Sequence, residues 1–168
     1  MVPYTLIVIS LLLDGISSYF LPYLPNNLSL LTPMLTVVTI FLIYPFYRKQ
    51  EKKYFLIVFI TGLIYDLLYT NLLFFNATLF LIIGIVSKYI YKNYEPNYLN
   101  LIIQIVLIIT IYELITTIII IVFNLVPITL TKVLYKISHS LILNILYSEI
   151  LFLIIAKMPK SYKKININ

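Results

Sequence analysis

Residues 98–123 read Tyr-Leu-Asn-Leu-Ile-Ile-Gln-Ile-Val-Leu-Ile-Ile-Thr-Ile-Tyr-Glu-Leu-Ile-Thr-Thr-Ile-Ile-Ile-Ile-Val-Phe, with Glu113 as the single charged residue in the run. As a helix this stretch is about 39 Å long at 1.5 Å per residue, more than the roughly 30 Å hydrocarbon core of a bilayer. Working outward, five more apolar runs follow the same logic, at about 3–21, 28–47, 54–70, 75–91 and 137–157. The expected fold is therefore all-α: a polytopic transmembrane helix bundle of about six spans, forming a single integral membrane domain over 1–168.

Composition agrees. Hydrophobic residues make up 62% of the chain and charged residues 11%, with a mean hydropathy of +1.03; soluble chains run nearer half apolar and a quarter charged. The absence of cysteine excludes disulfides and thiolate metal sites, and the lone His139 provides no histidine cluster. No metal or cofactor is expected. The net charge of +6 does not signal nucleic acid, because the lysines sit in short runs at the ends of apolar stretches, where they meet anionic membrane lipid. Met1-Val2-Pro3-Tyr4 lacks a basic leader and no small-x-small cleavage site follows, so the first span is expected to stay in the mature protein.

Proline marks the borders: Pro3, Pro22, Pro25, Pro45, Pro96, Pro127 and Pro159 fall at or near span ends, where a missing N–H costs least. Pro33 alone falls inside an expected span and predicts a kink in the second helix. Asn71-Leu72-Leu73-Phe74 predicts a tight hairpin between spans three and four. Arg48, Lys49, Lys52, Lys53, Lys88, Lys92, Lys157, Lys160, Lys163 and Lys164 lie on one side of such a six-span path, and only Lys132 and Lys136 on the other. The bias of basic residues toward cytoplasmic loops then gives an N-in/C-in, multi-pass protein of the bacterial inner membrane. Tyr19, Tyr23, Tyr44, Tyr47, Tyr89, Tyr91, Tyr94 and Tyr98 gather at the same borders, as rings at headgroup depth do. The largest pieces outside the spans are the C-terminal tail and the segment near Val126–Tyr135, so a soluble catalytic domain has nowhere to sit. No phosphate loop, zinc motif or nucleophile elbow is present.

The informative residues are those lipid should reject. Asp14, Asp66, Glu113 and Glu149 lie within spans, each costing roughly 2.5–3.5 kcal/mol if ionised at mid-membrane. No basic residue is expected at matching depth, and Asp14 and Asp66 fall toward outer helix ends, where interfacial water is another partner. All three glycines, Gly15, Gly62 and Gly84, are also intramembrane. Gly62 and Asp66 are four apart and share a helical face; Gly15 adjoins Asp14; Asn76 and Gly84, eight apart, share a face in the fourth span. Small residues let a neighbouring backbone approach so that a polar side chain can bond across the gap. Two readings stand for these positions: helix packing, or direct contact with a partner or ligand. Thr110, Glu113, Thr116 and Thr117 form a polar face in the fifth span, and Lys136, Ser140, Asn144 and Ser148 a ridge in the sixth, with Glu149 one residue off it. His139 is expected at the interface.

The segment Thr61-Gly62-Leu63-Ile64-Tyr65-Asp66-Leu67-Leu68, continuing through Asn71 to Asn76-Ala77-Thr78-Leu79-Phe80, resembles the rod shape-determining protein MreD family. That family carries a Gly-x-x-x-Asp-Leu helix end, a short turn, and an apolar helix opening with a small residue. Pro22-Tyr23-Leu24-Pro25 to Pro33 is similar to its Pro-rich external turn, and Asp14 also has a counterpart. Where the family usually has Gly, two residues before Asn76, this chain has Phe74. The resemblance implies a non-enzymatic membrane scaffold of the elongasome, the machinery of side-wall peptidoglycan synthesis. It implies a bitopic MreC-like partner, and a wider assembly with MreB and the cell-wall polymerase and transpeptidase. A homo-oligomer stays open.

Two other classes compete. A substrate-binding S component of an energy-coupling-factor vitamin transporter is also a small six-span bundle, but usually carries Ala-x-x-x-Ala in its first span, and the only alanines here are Ala77 and Ala156. An intramembrane enzyme or proton-coupled carrier would use Asp66, Glu113 or Glu149, yet no nucleophile–base pair accompanies them.

Overall fold

A computed structural model describes residues 2–20, 23–24, 28–29, 33–70, 72–94, 98–123 and 129–157. Among them run six α-helices: α1 Val2–Phe20, α2 Leu35–Ile43, α3 Glu51–Tyr69, α4 Phe75–Asn93, α5 Tyr98–Val122 and α6 Leu130–Lys157. A 3-10 turn, Tyr44–Tyr47, carries α2 onward with Pro45 in its first turn. Between α1 and α2 a short antiparallel ladder pairs β1 (Tyr23–Leu24) with β2 (Leu28–Ser29), in the register Tyr23 with Ser29 and Leu24 with Leu28.

The packing is organised around α2. All nine of its residues are buried, and it touches α1, α4, α5 and α6. A helix that is apolar all round has no face to offer water, and Leu-Thr-Val-Val-Thr-Ile-Phe-Leu-Ile offers none: its two threonines are also buried. The other helices form three pairings with their neighbours in sequence, of which α3 against α4 is the most extensive, followed by α5 against α6. Val38, Ile40, Phe41 and Ile43 of α2 meet Tyr54 and Val58 of α3, Phe80 and Ile83 of α4 and Ile105, Ile108 and Ile109 of α5 in one core. Hydrogen bonds then fix α2 to its neighbours: Tyr54 Oη donates to Ile40 O at 3.1 Å from α3, and Thr39 Oγ1 lies 2.9 Å from Tyr147 Oη of α6. The outward faces are apolar, with Leu12 and Ile16 on α1, Leu67 and Leu68 on α3, Ile103 on α5 and Leu146 on α6 all exposed.

Two described helices, over Asn100–Val122 and Thr131–Lys157, are long and apolar enough to cross a membrane. Helix bounds depart from the expected runs in a consistent way. α3 starts at Glu51, α4 continues to Asn93 and α6 starts at Leu130 instead of residue 137; hydropathy alone stops at lysine, whereas lysine is a good helix former. The expected second run, 28–47, is corrected most. Leu28–Ser29 is strand and the helix begins only at Leu35, because Pro33 lacks the N–H a preceding turn would need and restricts the residue before it. Pro33 precedes the helix; it does not kink it. The C-terminal tail from 158, with Pro159, Lys160, Lys163 and Lys164, lies outside the described residues, as do Pro22, Pro25, Asn71, Glu95, Pro96 and Pro127.

Candidate functional site

A nine-residue helix wholly enclosed by others has a problem at its start. The first N–H groups of any helix lack intrahelical partners, and where water is excluded each one left unpaired costs several kcal/mol. At α2 the answer comes from two distant helices. Asp14, on α1 and 2% exposed, accepts from Leu35 N–H at Oδ1 (2.8 Å) and from Thr36 N–H at Oδ2 (2.9 Å). Asn144, fully buried on α6, accepts from Met34 N–H at its Oδ1 (2.9 Å). Three consecutive backbone donors are thereby satisfied by side chains from the first and last helices.

The same solution recurs at α4. Asp66, fully buried on α3, accepts from Asn76 N–H and Asn76 Nδ2 at Oδ1, both at 2.9 Å, and from Ala77 N–H at Oδ2 (3.2 Å). Thr70 Oγ1 donates to Oδ1 as well, at 3.1 Å. The Asn76 carbamoyl is then used from both ends, since its Oδ1 accepts from Tyr112 Oη of α5 at 2.8 Å. Tyr112, Asn76 and Asp66 thus chain α5 to α4 to α3 through one polar line.

Gly62 makes this geometry reachable. A Cβ built there would stand 2.4 Å from Ala77 Cα, 2.7 Å from Ala77 N and 2.9 Å from Asn76 O. The contacts are backbone, so no side chain can swing away, and only glycine admits the α4 start this close to α3. Gly15 lies under the Tyr69 ring, whose Oη is 2.6 Å from a hypothetical Cβ there and donates to Leu11 O at 2.6 Å, joining α3 to α1. A Cβ built at Gly84 would lie 3.3 Å from the Tyr54 and Phe55 rings. The turn into α4 runs through Phe74 at φ 68°, ψ 0°, the left-handed region that costs a side-chain-bearing residue about 1–2 kcal/mol. The position where the resembled family usually has Gly is the one whose backbone favours Gly.

Asp14 and Asp66 therefore sit buried among backbone donors, away from interfacial water. A second expectation is also corrected: Glu113 does have a cation at its depth. With its side chain 1% exposed, it places Oε2 2.8 Å from Lys136 Nζ of α6. The early start of α6 puts Lys136 inside the helix, and its flexible stem carries the ammonium to the acid while staying 41% exposed. Asn144, Ser140 and Ser148 of the α6 ridge are fully buried. Glu149 is half-buried with Oε1 enclosed and without a hydrogen bond among the described residues, and it does not join either capped start. Gln104, 6% exposed on α5 with neither amide atom bonded among the described residues, escaped the sequence reading, as did the roles of Thr70, Tyr69 and Tyr112. His139 stacks on Tyr135 at 3.7 Å between ring centroids. Among the described residues no group of three or more His, Cys, Asp or Glu converges as a metal site would require.

Chemically, the lone pairs of Asp14 and Asp66 point at fixed N–H groups. That arrangement holds helices together and positions their ends. Among known proteins, the family model described as rod shape-determining protein MreD matches residues 2–162. No curated protein and no solved structure matches the chain.

Proposed function

This chain belongs to the rod shape-determining MreD family, matched over residues 2–162, and from that premise we propose that it is a non-enzymatic membrane scaffold of the elongasome. In this reading it binds an MreC-like bitopic protein through helix-to-helix contact. Together they help organise peptidoglycan side-wall synthesis with MreB and the cell-wall polymerase and transpeptidase. The carrying observation is the family match across nearly the whole chain. The structural support is that Asp14, Asp66, Asn76 and Asn144 are committed to internal caps, while the outer faces are apolar and suited to meeting other helices.

The placement belongs to the same proposal: six spans in the bacterial inner membrane, both termini cytoplasmic, supported by ten basic residues on one side of the path against two on the other. Asp14, Gly15, Gly62, Asp66, Asn76, Gly84, Glu113 and Glu149 serve in this reading as internal packing positions. The wild-type chain has no cysteine, so single cysteines report cleanly; one placed at Lys49 should be reached only after the membrane is breached. Labelling of that site from the external side of intact cells would reverse the orientation. For the role itself, loss of the protein should round the cells and dissociate complexes containing the MreC-like partner. Normal rods with those complexes intact would contradict it.

A further inference from the structure

One end of the bundle concentrates positive charge in a way the scaffold role does not use. The turn after α2 and the start of α3 supply Arg48, Lys49, Lys52 and Lys53, all exposed, and the end of α4 supplies exposed Lys92. Two contacts draw these segments together: Arg48 Nη2 donates to Tyr91 O at 3.4 Å, and Lys88 Nζ meets Glu51 Oε2 at 2.7 Å. The second contact also neutralises Glu51, the acid of the turn. Arg48, Lys49, Lys52, Lys53 and Lys92 have no salt-bridge partner among the described residues.

What lies beneath the cations identifies their ligand. Lys52, Leu56, Ile60 and Ile64 follow at intervals of four and so share one face of α3; Leu56 is 58%, Ile60 46% and Ile64 40% exposed. On α4, Ile85, Tyr89 and Lys92 repeat the pattern, with Ile85 59% and Tyr89 68% exposed. Each helix therefore presents an ammonium above a bare apolar stripe, with an aromatic ring between them on α4. A soluble acidic protein would meet the cations and leave the stripes uncovered. A free phosphate would do the same. An anionic phospholipid covers both: phosphate against the ammonium groups, acyl chains along the stripes.

We propose that Lys49, Lys52, Lys53 and Lys92 form a headgroup site for anionic phospholipid, with acyl chains lying along Leu56–Ile60 of α3 and beside Ile85 of α4. The proposal rests on the bundle lying in a membrane, as in the reading above. Native mass spectrometry of the detergent-purified full chain tests it by titration with phosphatidylglycerol, with phosphatidylcholine, with soluble glycerol phosphate and with polyglutamate. Phosphatidylglycerol should be retained at least about tenfold more tightly than phosphatidylcholine. Each cation near the headgroups contributes roughly fivefold, so Lys52→Gln with Lys53→Gln should erase most of that preference, while Lys132→Gln, at the start of α6, should keep it. Should the double variant fail to fold, the single variants Lys49→Gln and Lys92→Gln read the same loss in smaller steps. Equal retention of the two lipids would overturn the site. So would an undiminished preference in the folded variants, glycerol phosphate binding as tightly as the whole lipid, or polyglutamate binding more tightly than phosphatidylglycerol. A chain that dissolved without detergent would remove the membrane reading and the site together, whereas equal lipid retention by an extracted bundle would remove the site alone.

Discussion

The starts of α2 and α4 solve one physical problem with different wiring. At α4 the cap is local: Asp66 reaches Asn76 and Ala77 across a hairpin of ten and eleven residues, and Gly62, on the same helix face, clears the approach. At α2 the cap is assembled from afar, with Asp14 reaching across 21 and 22 residues and Asn144 across 110. The local cap can form as soon as two neighbouring helices meet. The distant one is complete only when α1, α2 and α6 are all in place, so it reports the finished bundle. The difference teaches that one carboxylate organises a hairpin while the other closes the fold.

That contrast can be broken by substitution. The largest effect is expected for Asp66→Ala, which strips partners from two backbone N–H groups and the Asn76 amide in a buried place; at about 1–3 kcal/mol for each unpaired group, a loss of about 4 kcal/mol should appear in reversible unfolding in mixed micelles. Asp14→Ala removes two backbone partners and should cost about 3 kcal/mol in the same assay. Combining it with Asn144→Ala should cost visibly less than the sum of the separate losses, because both changes disable one three-donor start. Gly62→Ala forces a Cβ into the α4 backbone and should cost about 2–3 kcal/mol, read as a lowered thermal midpoint. Pairing it with Asp66→Ala should add little, since either change separates α3 from the α4 start. The smallest effect has the opposite sign: Phe74→Gly relieves a left-handed residue and should raise stability by about 1 kcal/mol.

How far the sequence foresaw this follows from the same contrast. Residues 98–123 could hardly be other than a buried or lipid-facing helix, and Gly62 with Asp66 stood out because an i, i+4 pair in an apolar helix is visible without knowing the fold. The recipient of Asp14 was not visible: nothing near residue 14 points to residues 35 and 36, and the link depends on where α2 begins. That start was itself misplaced, because Leu28, Leu30 and Leu31 extend the apolar run while hydropathy is blind to the constraint Pro33 imposes on backbone. Asn144 was legible as part of a polar ridge, yet its bond to Met34 N–H is tertiary. The Glu113–Lys136 pair was hidden for a similar reason, since starting the sixth span at residue 137 put Lys136 at its outer end and away from the depth of Glu113.

The central claim is that a buried side-chain carboxylate caps the start of α4, and amide hydrogen exchange at Asn76 and Ala77 tests it most directly. In the wild-type protein both amides should be strongly protected. In Asp66→Ala they should exchange roughly 30- to 100-fold faster, with mid-helix amides of α4 such as Ile83 much less affected. Unchanged protection at Asn76 and Ala77 in a folded Asp66→Ala protein would contradict the account.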